Sequence, residues 1–240
     1  MTWLLNSGIF RPAAETAFIA TVVLIAIHFA VSHPKFDDVF GKDRGLRILD
    51  PLRLAVFVFT LLFVEQKWSF VGALRKLVFL LALLCFVVLL VTGFVPMFFL
   101  GKMITGWWMM IHATAAPVFA GCLAILAVLW ADKNRLDKNY CPWLNRILNR
   151  QSKNAAEPQK FELELKICFW IILFLSLPVI LSETLSMFYL FGELGQEVLL
   201  QLHRYSTLLL ALFAIIYLYL AALNEMEKTA KQGHFKENQL

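Results

Sequence analysis

Five apolar runs, each long enough to cross a lipid bilayer, constrain what this chain can fold into. A hydrocarbon core about 30 Å thick is spanned by a helix of roughly 20 apolar residues. The runs cover residues 13–31, 75–98, 107–130, 163–188 and 197–223. The hydrophobic fraction of 60% and the mean hydropathy of +0.71 exceed those of typical soluble domains. The sequence therefore predicts an all-α integral membrane bundle of five transmembrane helices.

Lysine and arginine are concentrated in the segments that join the predicted helices on one side. Of the 22 basic residues, eight lie between 32 and 76, eight between 132 and 166, and three after 224. Because loops rich in Lys and Arg stay in the cytoplasm, we expect an extracytoplasmic N-terminus and a cytoplasmic C-terminus, in a bacterial inner membrane. The net charge of +5 then orients the chain among membrane lipids, and we expect no nucleic-acid partner.

The predicted helices divide the chain into three parts. Residues 1–73 hold the first helix and a cytoplasmic loop, in which the apolar segment 54–64 is too short to span and is expected at the membrane interface. Residues 74–224 form a four-helix membrane domain, and residues 225–240 form a polar cytoplasmic tail. The first run lacks the basic start and the cleavage site of a signal peptide, so we expect it to be retained as a helix.

Two histidines stand at matching depth in two of the predicted helices. His112 lies six residues after Gly106 and His203 lies seven after Gln196, so both are about 9–11 Å below the outer end of the bundle. Two facing imidazoles can hold one haem iron from opposite sides, and the small Ala116 leaves room for a bulky group. The alternative is that each histidine is an ordinary hydrogen-bonded group of the core or interface.

Three other polar residues in the predicted helices have two interpretations each. Arg204 suits a haem propionate through a charge-assisted bond, or extends to lipid headgroups. Glu183 can exchange protons with a quinone near the outer face, or is hydrogen-bonded at the outer end of a helix that Pro178 bends. Tyr217 is a candidate for a quinone or proton role, although a tyrosine at this depth more often packs and satisfies its hydroxyl locally.

His28, near the cytoplasmic end of the first predicted helix, has three interpretations. No histidine of the later helices lies at its depth, so a second haem there needs an unusual ligand or one from a partner chain. An imidazole also hydrogen-bonds a quinone carbonyl, or moves a proton near neutral pH. The third interpretation is a structural role.

Three short motifs give the chain a resemblance to a known family. They are R-K-x-V-F…T-G, which ends at Gly93, H-x-x-x-A, which starts at His112, and L-H-R-Y-S-x-L-L-L…Y-L-Y, which contains His203. The chain resembles the cytochrome b membrane subunits, a family that includes the formate dehydrogenase gamma subunit, the cytochrome b of nickel–iron hydrogenases and thiosulfate reductase subunits. The resemblance covers residues 74–224, which are therefore expected to form a cytochrome-b-like domain, with the first helix as an addition.

The resemblance implies a cofactor and its ligands. In that family four helices bind two stacked b-type haems, and a quinone reacts near the cytoplasmic one. Carried over to this chain, His112 and His203 are the ligands of the haem nearer the outside, and Gly93 is a close-approach position beside it. The second ligand pair does not match, because its expected positions hold Leu-Val-Phe at 77–79 and Tyr217. We therefore expect one haem b.

The resemblance also implies an electron-transfer subunit rather than an enzyme acting alone. One haem would link menaquinone or ubiquinone to an extracytoplasmic redox subunit, either an iron–sulfur protein or a multihaem cytochrome c. The chain has no CxxCH and no iron–sulfur motif of its own, so electrons must enter or leave through another subunit. The competing hypothesis is a haemless membrane anchor that docks redox partners. A small transporter is disfavoured, because no inverted repeat is visible.

Overall fold

The computed structural model describes residues 7–32, 70–101, 104–135, 162–188 and 190–237. These residues form helices and no strand. The elements in chain order are α1 (Ser7–Ser32), α2 (Phe70–Val95), a π-helical turn (Pro96–Leu100), α3 (Trp107–Ala131), α4 (Glu162–Ser186) and α5 (Gly192–Glu237). All five α-helices are long and apolar enough to cross a membrane. The prediction of an all-α membrane bundle with five transmembrane helices is confirmed.

Helix ends differ from the ends of the apolar runs. α1 begins at Ser7 rather than 13, and α5 continues to Glu237 rather than ending at 223. The extension of α5, residues 224–237, holds three Glu and three Lys, which are strong helix formers. Hydropathy marks where a helix leaves the apolar layer and not where the helix itself ends, so the polar tail begins as a continuation of α5. The predicted interfacial segment 54–64 lies outside the described residues.

The last four helices pair as two antiparallel hairpins. α2 runs along α3 and α4 runs along α5, whereas α3 and α4 touch at only a few points. With helices of alternating direction, α1, α3 and α5 begin on the same side of the bundle, which we call the first side. The two histidine-bearing helices, α3 and α5, therefore belong to different hairpins and run in the same direction.

α1 contacts both hairpins near the first side. Nη2 of Arg11 donates a hydrogen bond to the carbonyl oxygen of Phe98, in the π-helical turn, at 2.9 Å. The ring of Phe10 meets that of Tyr205 on α5 edge to face, with centroids 5.1 Å apart. Ala14, with 0% exposure, lies between the hairpins. Side chains from α1, α2 and α5 form one buried cluster there, consisting of Phe10, Ala14, Phe94, Leu208 and Ala211.

The turn after α2 ends in a glycine whose backbone conformation and small size allow the contact with α1. Gly101 follows the π-helical turn with φ 60°, a left-handed conformation that favours glycine. A Cβ atom at this position would also lie 2.9 Å from Nη1 of Arg11. A larger residue would thus meet both a backbone penalty and the arginine that joins α1 to the turn.

Candidate functional site

An apolar cavity of about 330 Å³ contains both histidines. α2 and α4 contribute mainly aliphatic and aromatic side chains to its wall, while α3 and α5 contribute the imidazoles of His112 and His203. Four small side chains on these last two helices also line it, namely Ala113, Ala116, Ala120 and Ala211. Cavities of this size and character are typical of sites for small molecules and cofactors.

The tautomer of His112 follows from its partner on α2. Nδ1 of His112 lies 2.9 Å from Oγ1 of Thr92. The single hydroxyl proton of Thr92 is directed to the carbonyl oxygen of Val88, at 2.7 Å, as is common for threonine in helices. The Thr92 oxygen must therefore accept a hydrogen bond from Nδ1–H of His112, which leaves Nε2 of this ring unprotonated and able to bind a metal.

His203 has the same tautomer for a different reason. Its Nδ1 lies 3.3 Å from the carbonyl oxygen of Val179 and 3.4 Å from Oγ of Ser182, both on α4. A carbonyl oxygen only accepts, and the Ser182 hydroxyl itself donates to Val179 at 3.0 Å. Both neighbours therefore require a proton on Nδ1 of His203. Oε2 of Glu183 lies 3.7 Å from the same nitrogen.

The two imidazoles thus leave the same ring nitrogen, Nε2, without a hydrogen bond. In the described part of the chain, every hydrogen bond of His112 and His203 is made by Nδ1 and none by Nε2. Ligands of metals in proteins are typically arranged in this way, with one ring nitrogen on the metal and the other donating to a fixed acceptor. The arrangement gives the cavity two neutral nitrogen donors, one from each hairpin.

Small residues and one unpaired hydroxyl complete the surroundings. A Cβ atom on Gly93 would lie 3.4 Å from Cε1 of His112, so Gly93 lies against the imidazole ring rather than in the cavity wall. Thr207, one turn after His203, lines the cavity. Its hydroxyl is buried and has no hydrogen-bond partner among the described residues, although a threonine hydroxyl in a helix usually bonds the carbonyl four residues earlier.

The structure separates the predicted site residues into two groups. His112, His203, Ala116 and Glu183 line one cavity. Arg204 is not among the residues that line it, and its guanidinium carbon lies 5.9 Å from the centroid of the Phe10 ring on α1. The haem-propionate role predicted for Arg204 stays a prediction, as does the cofactor contact of Gly93.

His28 lies away from this cavity. Its Nδ1 is 2.8 Å from the hydroxyl oxygen of Tyr219 on α5, two residues after Tyr217. This bond joins α1 to α5 farther from the first side than the cavity. A quinone or proton role for His28, Tyr217 or Glu183 stays a prediction.

Sequence reasoning did not single out the partners of the two imidazoles. Thr92 and Ser182 each supply a buried hydroxyl, with exposures of 3% and 1%, and Val179 supplies a main-chain carbonyl. The sequence marks Thr92 in one way, because it is the threonine of the T-G motif. It marks Thr207 in another way, because a residue four positions after His203 lies on the same helix face.

Comparison with known proteins gives one match. The family model for prokaryotic cytochrome b561 matches residues 77–232, which include most of α2, all of α3 and α4 and most of α5, and leave out α1. No curated protein and no solved structure matches the chain. The matched region is well over half of the chain and holds both cavity histidines. The chain therefore belongs to the prokaryotic cytochrome b561 family and is a multi-pass bacterial membrane cytochrome b with an electron-transfer role.

Proposed function

We propose that the cavity between the hairpins holds one b-type haem, whose iron Nε2 of His112 and Nε2 of His203 would bind. The observation that carries this proposal is that two histidines from different hairpins line one cavity, each with Nδ1 committed to an acceptor. Two neutral imidazoles are a donor set that haem iron accepts. If each histidine were an ordinary core residue, nothing would require the two to line one cavity or to carry the proton on the same ring nitrogen.

The surroundings of the cavity support the same ligand. The alanines of α3 and α5 that line the cavity leave room for a flat macrocycle, and most of the remaining lining side chains are apolar. The unpaired hydroxyl of Thr207 offers a hydrogen bond to a bound group or to a water beside it. When bound, haem supplies a one-electron couple. The protein residues hold it, fix the orientation of its ligands and exclude water.

The proposed electron path connects the membrane quinone pool, menaquinone or ubiquinone, with an extracytoplasmic redox subunit. The family membership supports an electron-transfer role in a membrane. Both histidines lie near the first side of the bundle, and the bias of basic residues favours this side as the outer one. A haem at that depth is suited to exchange electrons with an iron–sulfur or multihaem cytochrome c subunit outside the cytoplasm.

The test is a dithionite-reduced minus oxidised spectrum of the purified full chain, with haem counted per polypeptide. We expect one b-type haem in the natural chain. His112→Leu and His203→Leu should each lose it, because a single imidazole from one hairpin leaves the iron without its second ligand. His28→Leu is the matched control, since His28 lies away from the cavity, and it should keep the haem.

Two results would contradict this proposal. A natural chain that folds and carries no haem would favour the haemless anchor, which the lack of the second ligand pair at 77–79 and Tyr217 makes credible. Two haems, of which one is lost in His28→Leu, would assign a ligand role to His28 and make the count of one haem wrong.

A further inference from the structure

The two candidate ligands differ in what surrounds their Nδ1 atoms. His112 donates to a neutral hydroxyl, that of Thr92, at 2.9 Å. Nδ1 of His203 faces a carbonyl oxygen at 3.3 Å and also lies 3.7 Å from Oε2 of Glu183. Glu183 is the one carboxylate among the residues described as lining the cavity. The cavity is therefore electrostatically asymmetric, with negative charge beside one imidazole.

We propose that Glu183 is a positioning residue that acts through His203 to hold the haem in its ferric state. The inference rests on the proposed function, because it requires the haem between His112 and His203. A carboxylate beside the Nδ1–H of a ligating histidine makes the imidazole a more basic ligand. Ferric haem carries one more positive charge than ferrous haem, so the same carboxylate stabilises it directly as well.

The charge of Glu183 is not offset by a basic partner in the described part of the chain. The described ion pairs include none between Glu183 and a lysine or arginine. Arg204, which follows His203 directly in the sequence, lies over the ring of Phe10. The Glu183 side chain is 37% exposed and that of His203 is 20% exposed. The carboxylate thus reaches from the outer end of α4 to the ligand while keeping contact with the surroundings of the bundle.

The experiment is a potentiometric titration of the haem in the purified full chain, at one pH. Glu183→Gln keeps the shape of the side chain and removes its charge. We expect the equilibrium constant for one-electron reduction to rise about tenfold, which corresponds to about 59 mV. Glu183→Asp, which restores the charge, should shift the potential back toward that of the natural chain.

A matched variant separates this effect from a general change in charge. Glu193→Gln removes the same charge from an exposed position in the first turn of α5, on the same side of the bundle, and should leave the potential unchanged. Low-spin electron paramagnetic resonance of the ferric haem gives a second readout. Its g-values should change in Glu183→Gln, because the ligand field of His203 changes, and stay the same in Glu193→Gln.

The outcomes distinguish this inference from the proposed function. A natural chain without haem overturns both. A haem-loaded Glu183→Gln protein with the potential and g-values of the natural chain overturns the role of Glu183 and leaves the histidine ligands standing. A potential that rises equally in Glu193→Gln also overturns it, because the effect would then be general electrostatics rather than action through His203.

Discussion

The hydroxyl of Thr92 decides how His112 can act. It has one proton, and the geometry directs that proton to the carbonyl of Val88. The oxygen is left as an acceptor for the imidazole, and the imidazole, which lines the cavity, is left with Nε2 free of hydrogen bonds to the described residues. A hydroxyl buried at this level would be costly without partners, so the same contacts that satisfy Thr92 also orient the ring.

Replacing Thr92 tests this positioning role. Thr92→Val keeps the shape of the side chain and removes the acceptor, so Nδ1–H of His112 loses its fixed partner. Loss of such a partner typically lowers metal affinity about 10–100-fold, and we expect a haem-affinity loss in that range. The measurement is haem retained per polypeptide during titration with a competing haem-binding protein.

Thr114→Val is the matched control for this variant. Thr114 is an exposed threonine on α3 whose hydroxyl bonds the carbonyl of Met110 at 2.7 Å, and it does not line the cavity. Equal haem retention in the two variants would show that the hydroxyl of Thr92 does not hold the ligand.

At the scale of the elements, α1 is the helix that lies outside the family match, and it connects the two hairpins by contacting both. Its Arg11 bonds the turn after α2, and its Phe10 contacts Tyr205 of α5. Because α3 and α4 touch at few points, the two hairpins depend on α1 and on their cavity side chains for cohesion. Helices in a membrane associate by close packing of small residues rather than by the hydrophobic effect.

Ala14 is fully buried where α1 packs against α2 and α5. Ala14→Leu places three more carbon atoms where the alanine has no exposed surface, and overpacking of this kind costs typically about 1–3 kcal/mol. We expect a lower unfolding temperature in detergent, followed by loss of the monodisperse protein on size exclusion after heating.

Ala20→Leu is the control, since Ala20 lies on the same helix and is exposed. It adds the same atoms to a surface that faces lipid, so its unfolding temperature should match that of the natural chain. If Ala14→Leu and Ala20→Leu unfold at the same temperature, α1 does not pack between the hairpins as described.

At the scale of the whole molecule, the five candidate spans among the described residues predict that the two ends of the chain lie on opposite sides of the membrane. The distribution of basic residues predicts which side is which, because 19 of the 22 lie in segments on one side. The orientation matters for function, since it decides on which side of the membrane the cavity meets a redox partner.

Labelling of single cysteines tests the orientation. In a cysteine-free background, Leu194→Cys introduces a thiol at an exposed position on the first side, and Arg135→Cys introduces one at an exposed position on the opposite side. A membrane-impermeant maleimide should label the first variant in intact cells and the second only after permeabilisation. The reverse pattern would place the cavity near the cytoplasm and contradict the proposed partner side.

The sequence by itself determined the number of spans and the helical class. These features depend on local quantities, namely run length, hydropathy and the rise of 1.5 Å per residue along a helix. Ala116 near His112 and Glu183 near the first side were also visible in this way. The family followed from short motifs around the same residues, and the match over residues 77–232 confirms it.

Only the tertiary structure decided which polar atoms meet. The T-G motif marks Thr92, but nothing local predicts that Thr92 or Ser182 meets an imidazole. Their pairing with His112 and His203 depends on how neighbouring helices are rotated and spaced. The same rotation brings Arg204 over Phe10, on a helix nearly 200 residues away along the chain, whereas the sequence suggested a cofactor or lipid partner. Side-chain partners across a bundle depend on packing between segments that are distant in the sequence, and a local sequence pattern does not specify that packing.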